Sequence, residues 1–123
     1  VINDAVNNNV CRYINNATNL SNCLEVIEIS KKYENIYYSL GIHPDSVDED
    51  LLELRKLVED NLNDKKFVAI GEIGLDYHYG KENKDLQIKY FEEQLKIACN
   101  YKKPIQIHCR EAHEDTFNLL NKY

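Results

Sequence analysis

A chain of 123 residues is long enough for one domain with a real core, and 43% hydrophobic with 29% charged residues is a globular composition. It contains no run of about 18 apolar residues, which excludes a membrane-spanning helix. The net charge of -6 excludes a broad basic surface that grips nucleic acid by charge alone, although a bound metal can still supply positive charge locally. Cys11, Cys23, Cys99 and Cys109 show no C-x-x-C spacing. Neither a zinc knuckle nor a dense disulfide framework is expected, and a reducing compartment, the cytoplasm, is. The chain opens on Val1 and contains no methionine, a pattern expected of the interior of a longer protein.

Taken in chain order, Val1 to Asn9 reads as the tail of a helix stopped by Asn7-Asn8-Asn9. Val10 to Ile14 is a weak strand, followed by a polar loop. Asn22 with Glu25 has capping-box spacing ahead of a helix from Cys23 to Tyr33. Ile36 to Ile42 is rich in β-formers and reads as a firmer strand running into His43-Pro44. Ser46 and Glu49 suggest a second capping box, before a helix from about Asp48 to Leu62 with Leu51, Leu54 and Val58 on its buried stripe.

Phe67 to Ile70 is an apolar run without alternation, as in a strand buried on both faces of a parallel sheet. It leads into Gly71-Glu72-Ile73-Gly74-Leu75-Asp76. A tyrosine-rich loop follows, then a helix from about Lys84 to Asn100 with Ile88, Phe91, Leu95 and Ala98 inward. Lys102 and Lys103 complement its dipole and Pro104 ends it. Pro104 to His108 is the last strand, and Ala112 to Leu120 the last helix. Four strand-helix units in a row predict an α/β fold of parallel strands joined by right-handed crossovers. A complete (β/α)8 barrel needs roughly 250 residues, so four units are about half of one.

Glu72 ends an apolar strand and has glycines close by on both sides, Gly71 and Gly74. Such a setting lets an ion or phosphate approach, although a strand-end acid can equally cap a turn or pair with a lysine. His108 occupies the same position on the last strand, and alternation puts Arg110 on its side of the sheet and Cys109 on the other. A carboxylate and an imidazole aimed at one rim suit a divalent metal, and an arginine beside them suits a phosphate. The alternative for His108 is a hydrogen-bonded core histidine. His43, held by Pro44, either lines a pocket or bonds its own loop. Asp76 either orients a metal ligand or stabilises the turn at Gly74. Tyr77 and Tyr79 either stack on a base or pack against neighbours. His78 and His113 read as surface residues and Cys109 as packing.

Three segments together, GIHP at Gly41 to Pro44, GEIGLDY at Gly71 to Tyr77 and PIQIHCREAHED at Pro104 to Asp115, resemble the TatD-type metal-dependent deoxyribonucleases. Gln87, Phe91, Gln94, Leu95 and Ala98 on the intervening helix fit the same pattern. The resemblance implies a TIM-type (β/α)8 barrel that hydrolyses DNA phosphodiesters with divalent metal, probed first as Mg²⁺ with Mn²⁺ or Zn²⁺ as alternatives, two ions in the intact enzyme. It implies Glu72 and His108 as metal ligands with catalytic roles and Arg110 as a phosphate contact; from the residues themselves, His43 and Tyr77 are expected as further substrate contacts and Asp76 behind the ligands.

Some of the family's pattern is not found between Val1 and Tyr123: an H-x-H pair on the first strand, and a later histidine and aspartate. Asp45 stands where a second histidine often follows GIHP, and Lys81 is the nearest cation where an arginine often follows GLDY. The chain is therefore expected to be a partial domain, inactive alone and prone to self-association through open strand edges, within a monomeric enzyme. The other readings are a hydrolase of the same barrel type acting on amides or esters, and a degenerate half-barrel that binds a partner.

Overall fold

The computed structural model describes residues 1–123. A short helix α1 (Ile2–Asn7) precedes four strand-helix units: β1 (Tyr13–Asn16) and α2 (Leu20–Lys32), β2 (Ile36–Leu40) and α3 (Leu51–Asp60), β3 (Phe67–Asp76) and α4 (Lys84–Tyr101), β4 (Ile105–Arg110) and α5 (His113–Lys122). The strands lie side by side in chain order and every pair is parallel. The sheet curls into a half-closed barrel, as the alternation of elements predicts.

In-register partners share a face of the sheet. On the helix-covered face, Tyr38, Leu40, Ile70, Ile73 and Leu75 are fully buried, and Phe91 of α4 with Leu54 and Val58 of α3 completes their packing. Each such side chain contributes roughly 1.5–3 kcal/mol of burial. The opposite face carries Ser39, Gly74, His108, Asp76 and Arg110. Gly74 pairs with His108, and Asp76 with Arg110.

Local details differ from expectation for identifiable reasons. Val10 does not start β1, because its amide closes α1 by donating to the Ala5 carbonyl at 2.9 Å. The strand begins at Tyr13, where β2 offers partners. Asn19, not Asn22, caps α2: its extended backbone lets its side chain accept from the Asn22 amide at 2.8 Å. Asp50 caps α3 through the Leu52 amide. Glu49 is drawn away to accept from the Leu20 amide, 2.5 Å off, in the first turn of α2. Lys103 does not serve the α4 dipole; it donates to the Phe67 carbonyl and lies over the Phe67 ring.

Two strand ends also move. β3 does not stop at Ile70 but continues to Asp76, with a register shift against β4 between Ile70 and Ile73. Glu72 therefore sits within the strand, inside that irregularity. β4 likewise runs past His108 to Arg110.

Candidate metal centre

Three side chains meet where the chain leaves β2, at the irregular middle of β3 and toward the end of β4. His43 follows β2 after two residues, Gly41 and Ile42. The buried Gln94 of α4 fixes this stretch by accepting from the Ile42 amide at 2.7 Å and donating to the Ile42 carbonyl at 3.0 Å. The His43 amide then donates to Thr18, and the Glu72 amide to Ala17, both at 2.9 Å. The segment after β1 thus pins two of the three residues through their backbones. His108 is held by its strand register opposite Gly74. Gly74 has φ 147°, and a Cβ there would lie 1.9 Å from the His108 carbonyl oxygen. Only glycine allows β3 and β4 to approach so closely.

His108 Nδ1 is 3.2 Å from Glu72 Oε1, its Nε2 is 2.8 Å from Asp76 Oδ2, and its ring centroid is 4.3 Å from that of His43. One donor atom each from His43, Glu72 and His108 lies within 4.8 Å of the others. Two ligands each about 2.1 Å from one ion, roughly 90–110° apart, sit about 3.0–3.4 Å from each other. The Glu72–His108 spacing falls in that interval, so this donor set fits a divalent cation. Both side chains are sheltered yet reachable, at 30% and 22% exposure.

Asp76 is the most enclosed carboxylate of the group. Burial alone would raise its pKa. The His78 amide, the His108 ring and the charge of Arg110 outweigh burial and hold it below the ordinary aspartate value. Its backbone is bracketed as Ile42 is: the Asp76 amide donates to Gln87 Oε1 at 2.8 Å, and Gln87 Nε2 donates to the Asp76 carbonyl at 2.9 Å. Gln87 and Gln94 are one heptad apart on α4, and each fixes one loop of the rim. Their clamping role is not visible in sequence spacing, although a glutamine inside an apolar stripe signals a buried amide that needs partners.

Beside these residues opens a cavity of about 550 Å³ lined by His43, Asp45, Asp76, Tyr79, His108 and Arg110 among others. Glu72 is not part of its lining and lies against the Nδ1 edge of His108. Arg110 reaches the cavity with its guanidinium 5.5 Å from the centre of the Tyr79 ring. Tyr77 stands elsewhere: its side chain is buried and its hydroxyl donates to Asp115 Oδ2 at 2.7 Å. Tyr79, not Tyr77, is the loop tyrosine at the cavity. His78 faces Glu111 on the exposed surface, His113 begins α5 in solvent, and Cys109 packs inward, accepting from Thr116.

Fold and site together define a parallel β/α sheet whose rim carries a His–Glu–His set suited to a divalent cation. The family model described as TatD related DNase matches residues 1–123, and the chain belongs to this family. It is 34% identical to an uncharacterized metal-dependent hydrolase of Buchnera aphidicola, over 99% of this chain and 48% of that protein. It is 35% identical to deoxyribonuclease Tat-D of Schizosaccharomyces pombe, over 85% of this chain and 37% of that protein. Among solved structures, the TatD homolog YJJV from Escherichia coli superposes with a TM-score of 0.83 at 30% identity, covering 92% of this chain and 44% of that one. The chain therefore spans about half the length of the curated relatives it matches. No helix is long and apolar enough to cross a membrane.

Proposed function

We propose that these residues form part of the centre of a metal-dependent deoxyribonuclease that hydrolyses DNA phosphodiesters. The observation that carries this reading is the 3.2 Å approach of Glu72 and His108 beside His43. Those three residues would hold the ion, and Arg110, on the same face as His108, would orient a phosphate through its planar fork. When bound, the ion lowers the pKa of water and offsets charge on phosphoryl oxygens. Glu72 is the one carboxylate among the three residues that would hold the ion. Two imidazoles in three donors suit Zn²⁺ better than the Mg²⁺ expected from the sequence, and the carboxylate also suits Mn²⁺.

The cavity presents Asp45, Asp76 and Glu82 against the single guanidinium of Arg110. A phosphodiester is repelled there until a cation is present. The test is cleavage of DNA by the full-length protein before and after chelation, beside a small lactone and an amide. DNA cleavage lost with EDTA and restored by Mn²⁺ or Zn²⁺ supports the reading. Metal-dependent turnover of the lactone or amide with DNA untouched overturns it.

A further inference from the structure

Both ring nitrogens of His108 face carboxylates, and a carboxylate only accepts. A neutral imidazole has one N–H to give and one lone pair, so it satisfies one of the two carboxylates and opposes the other. The two contacts are unequal. Nε2 lies 2.8 Å from Asp76 Oδ2, the length of a good N–H···O bond, while Nδ1 lies 3.2 Å from Glu72 Oε1. In the neutral ring a lone pair against a carboxylate oxygen is unfavourable unless a metal ion sits between them, whereas a ring protonated on both nitrogens donates to both carboxylates.

From this mismatch we propose that Asp76 is a positioning residue. It holds the proton on Nε2 of His108 and thereby turns the Nδ1 lone pair toward Glu72, making Nδ1 the metal-ligating atom. The inference deepens the metal-centre reading above and rests on it. Asp76 is rigid enough for the task. Its other oxygen accepts from the His78 amide at 2.9 Å, its backbone is clamped on both sides by Gln87, and Gln87 is itself tied to Asn83 at 2.8 Å. A chain of hydrogen bonds thus runs from the first turn of α4 to the imidazole, and partners of this kind fix the tautomer of a metal-ligating histidine.

The experiment combines histidine ¹⁵N–¹H correlation spectra of the metal-free full-length protein with Mn²⁺ titration of the wild type, D76N and E72Q. In the wild type, in the spectra of the neutral ring, the His108 proton is expected on Nε2, with Nδ1 bare; a neutral ring carrying its proton on Nδ1 overturns the proposal. In D76N the amide can donate to Nε2 and drive the proton to Nδ1, the nitrogen needed for the metal. Mn²⁺ affinity should then fall on the order of 10–100-fold, with the tautomer signature reversed and the thermal midpoint showing that the fold persists. Unchanged affinity in D76N, while E72Q loses Mn²⁺, removes Asp76 from the role and leaves the metal centre standing. A wild type that takes up no Mn²⁺ ends both.

Discussion

Two polar clusters lie close together in this fold, drawn from the same stretches of chain, and they are finished differently. Around Tyr77 every partner is matched: its hydroxyl donates to Asp115, and Lys84 meets the same carboxylate oxygen at 3.0 Å. Around His108 the groups converge without balancing, with two carboxylates and a second imidazole facing one ring. The closed cluster ties the β3–α4 loop to α5, and its effect is stability. The open one leaves donor atoms pointing at a shared space, and its effect is to receive something positive. Convergence of buried polar groups is therefore not in itself a functional sign; an unmatched donor–acceptor count is.

The contrast breaks most sharply at Glu72. E72Q keeps the shape and removes the charge, and the full-length protein should lose about 10³-fold in metal-dependent DNA cleavage, the equivalent of several kcal/mol. Its thermal midpoint should stay near wild type; retained cleavage would take Glu72 out of the mechanism. G74A should injure both clusters together, because the new Cβ meets the His108 carbonyl and the backbone is held at positive φ. A loss on the order of 3 kcal/mol in denaturant unfolding is expected, accompanied by weaker metal uptake.

Y77F sharpens the comparison from the other side. Losing a hydrogen bond to a charged acceptor should cost about 1.5–3 kcal/mol, with cleavage per folded molecule unchanged. The same pair has a pH signature. The Tyr77 hydroxyl first, and then Lys84, hold the Asp115 carboxyl below the ordinary aspartate range. A depressed folded pKa gives stability that is present above the unfolded value and is lost as pH falls through the folded one. Unfolding midpoints of the wild type should therefore drop below about pH 4, and those of D115N should drop less. The smallest effect is expected at Arg110. R110K keeps the charge but loses the fork, and should raise KM for DNA about tenfold with kcat little changed.

Much of this was legible in the sequence. Apolar runs at Ile36 and Phe67 gave the central strands, and strict alternation along β4 put His108 and Arg110 on one face with Cys109 opposite. Three things were not legible, each for a tertiary reason. Asn19 and Asn22 are both good caps by type; the choice was settled by the extended backbone at Asn19 and by Glu49 reaching across 29 residues to Leu20. Alternation ends at Asp76, so nothing in the spacing says which of Tyr77 and Tyr79 turns inward. The clamping of Ile42 and Asp76 by Gln94 and Gln87 depends on how α4 lies against the rim, which periodicity alone does not specify. His43 joins Glu72 and His108 only because that clamp and the Thr18 carbonyl place its backbone.

The most direct test is a crystal structure of the full-length protein soaked with Mn²⁺, with anomalous diffraction locating the ion. A strong peak about 2.0–2.3 Å from both a Glu72 carboxylate oxygen and His108 Nδ1 is the predicted result. A well-ordered Mn²⁺ bound elsewhere, with Glu72 and His108 free of it, would contradict the account.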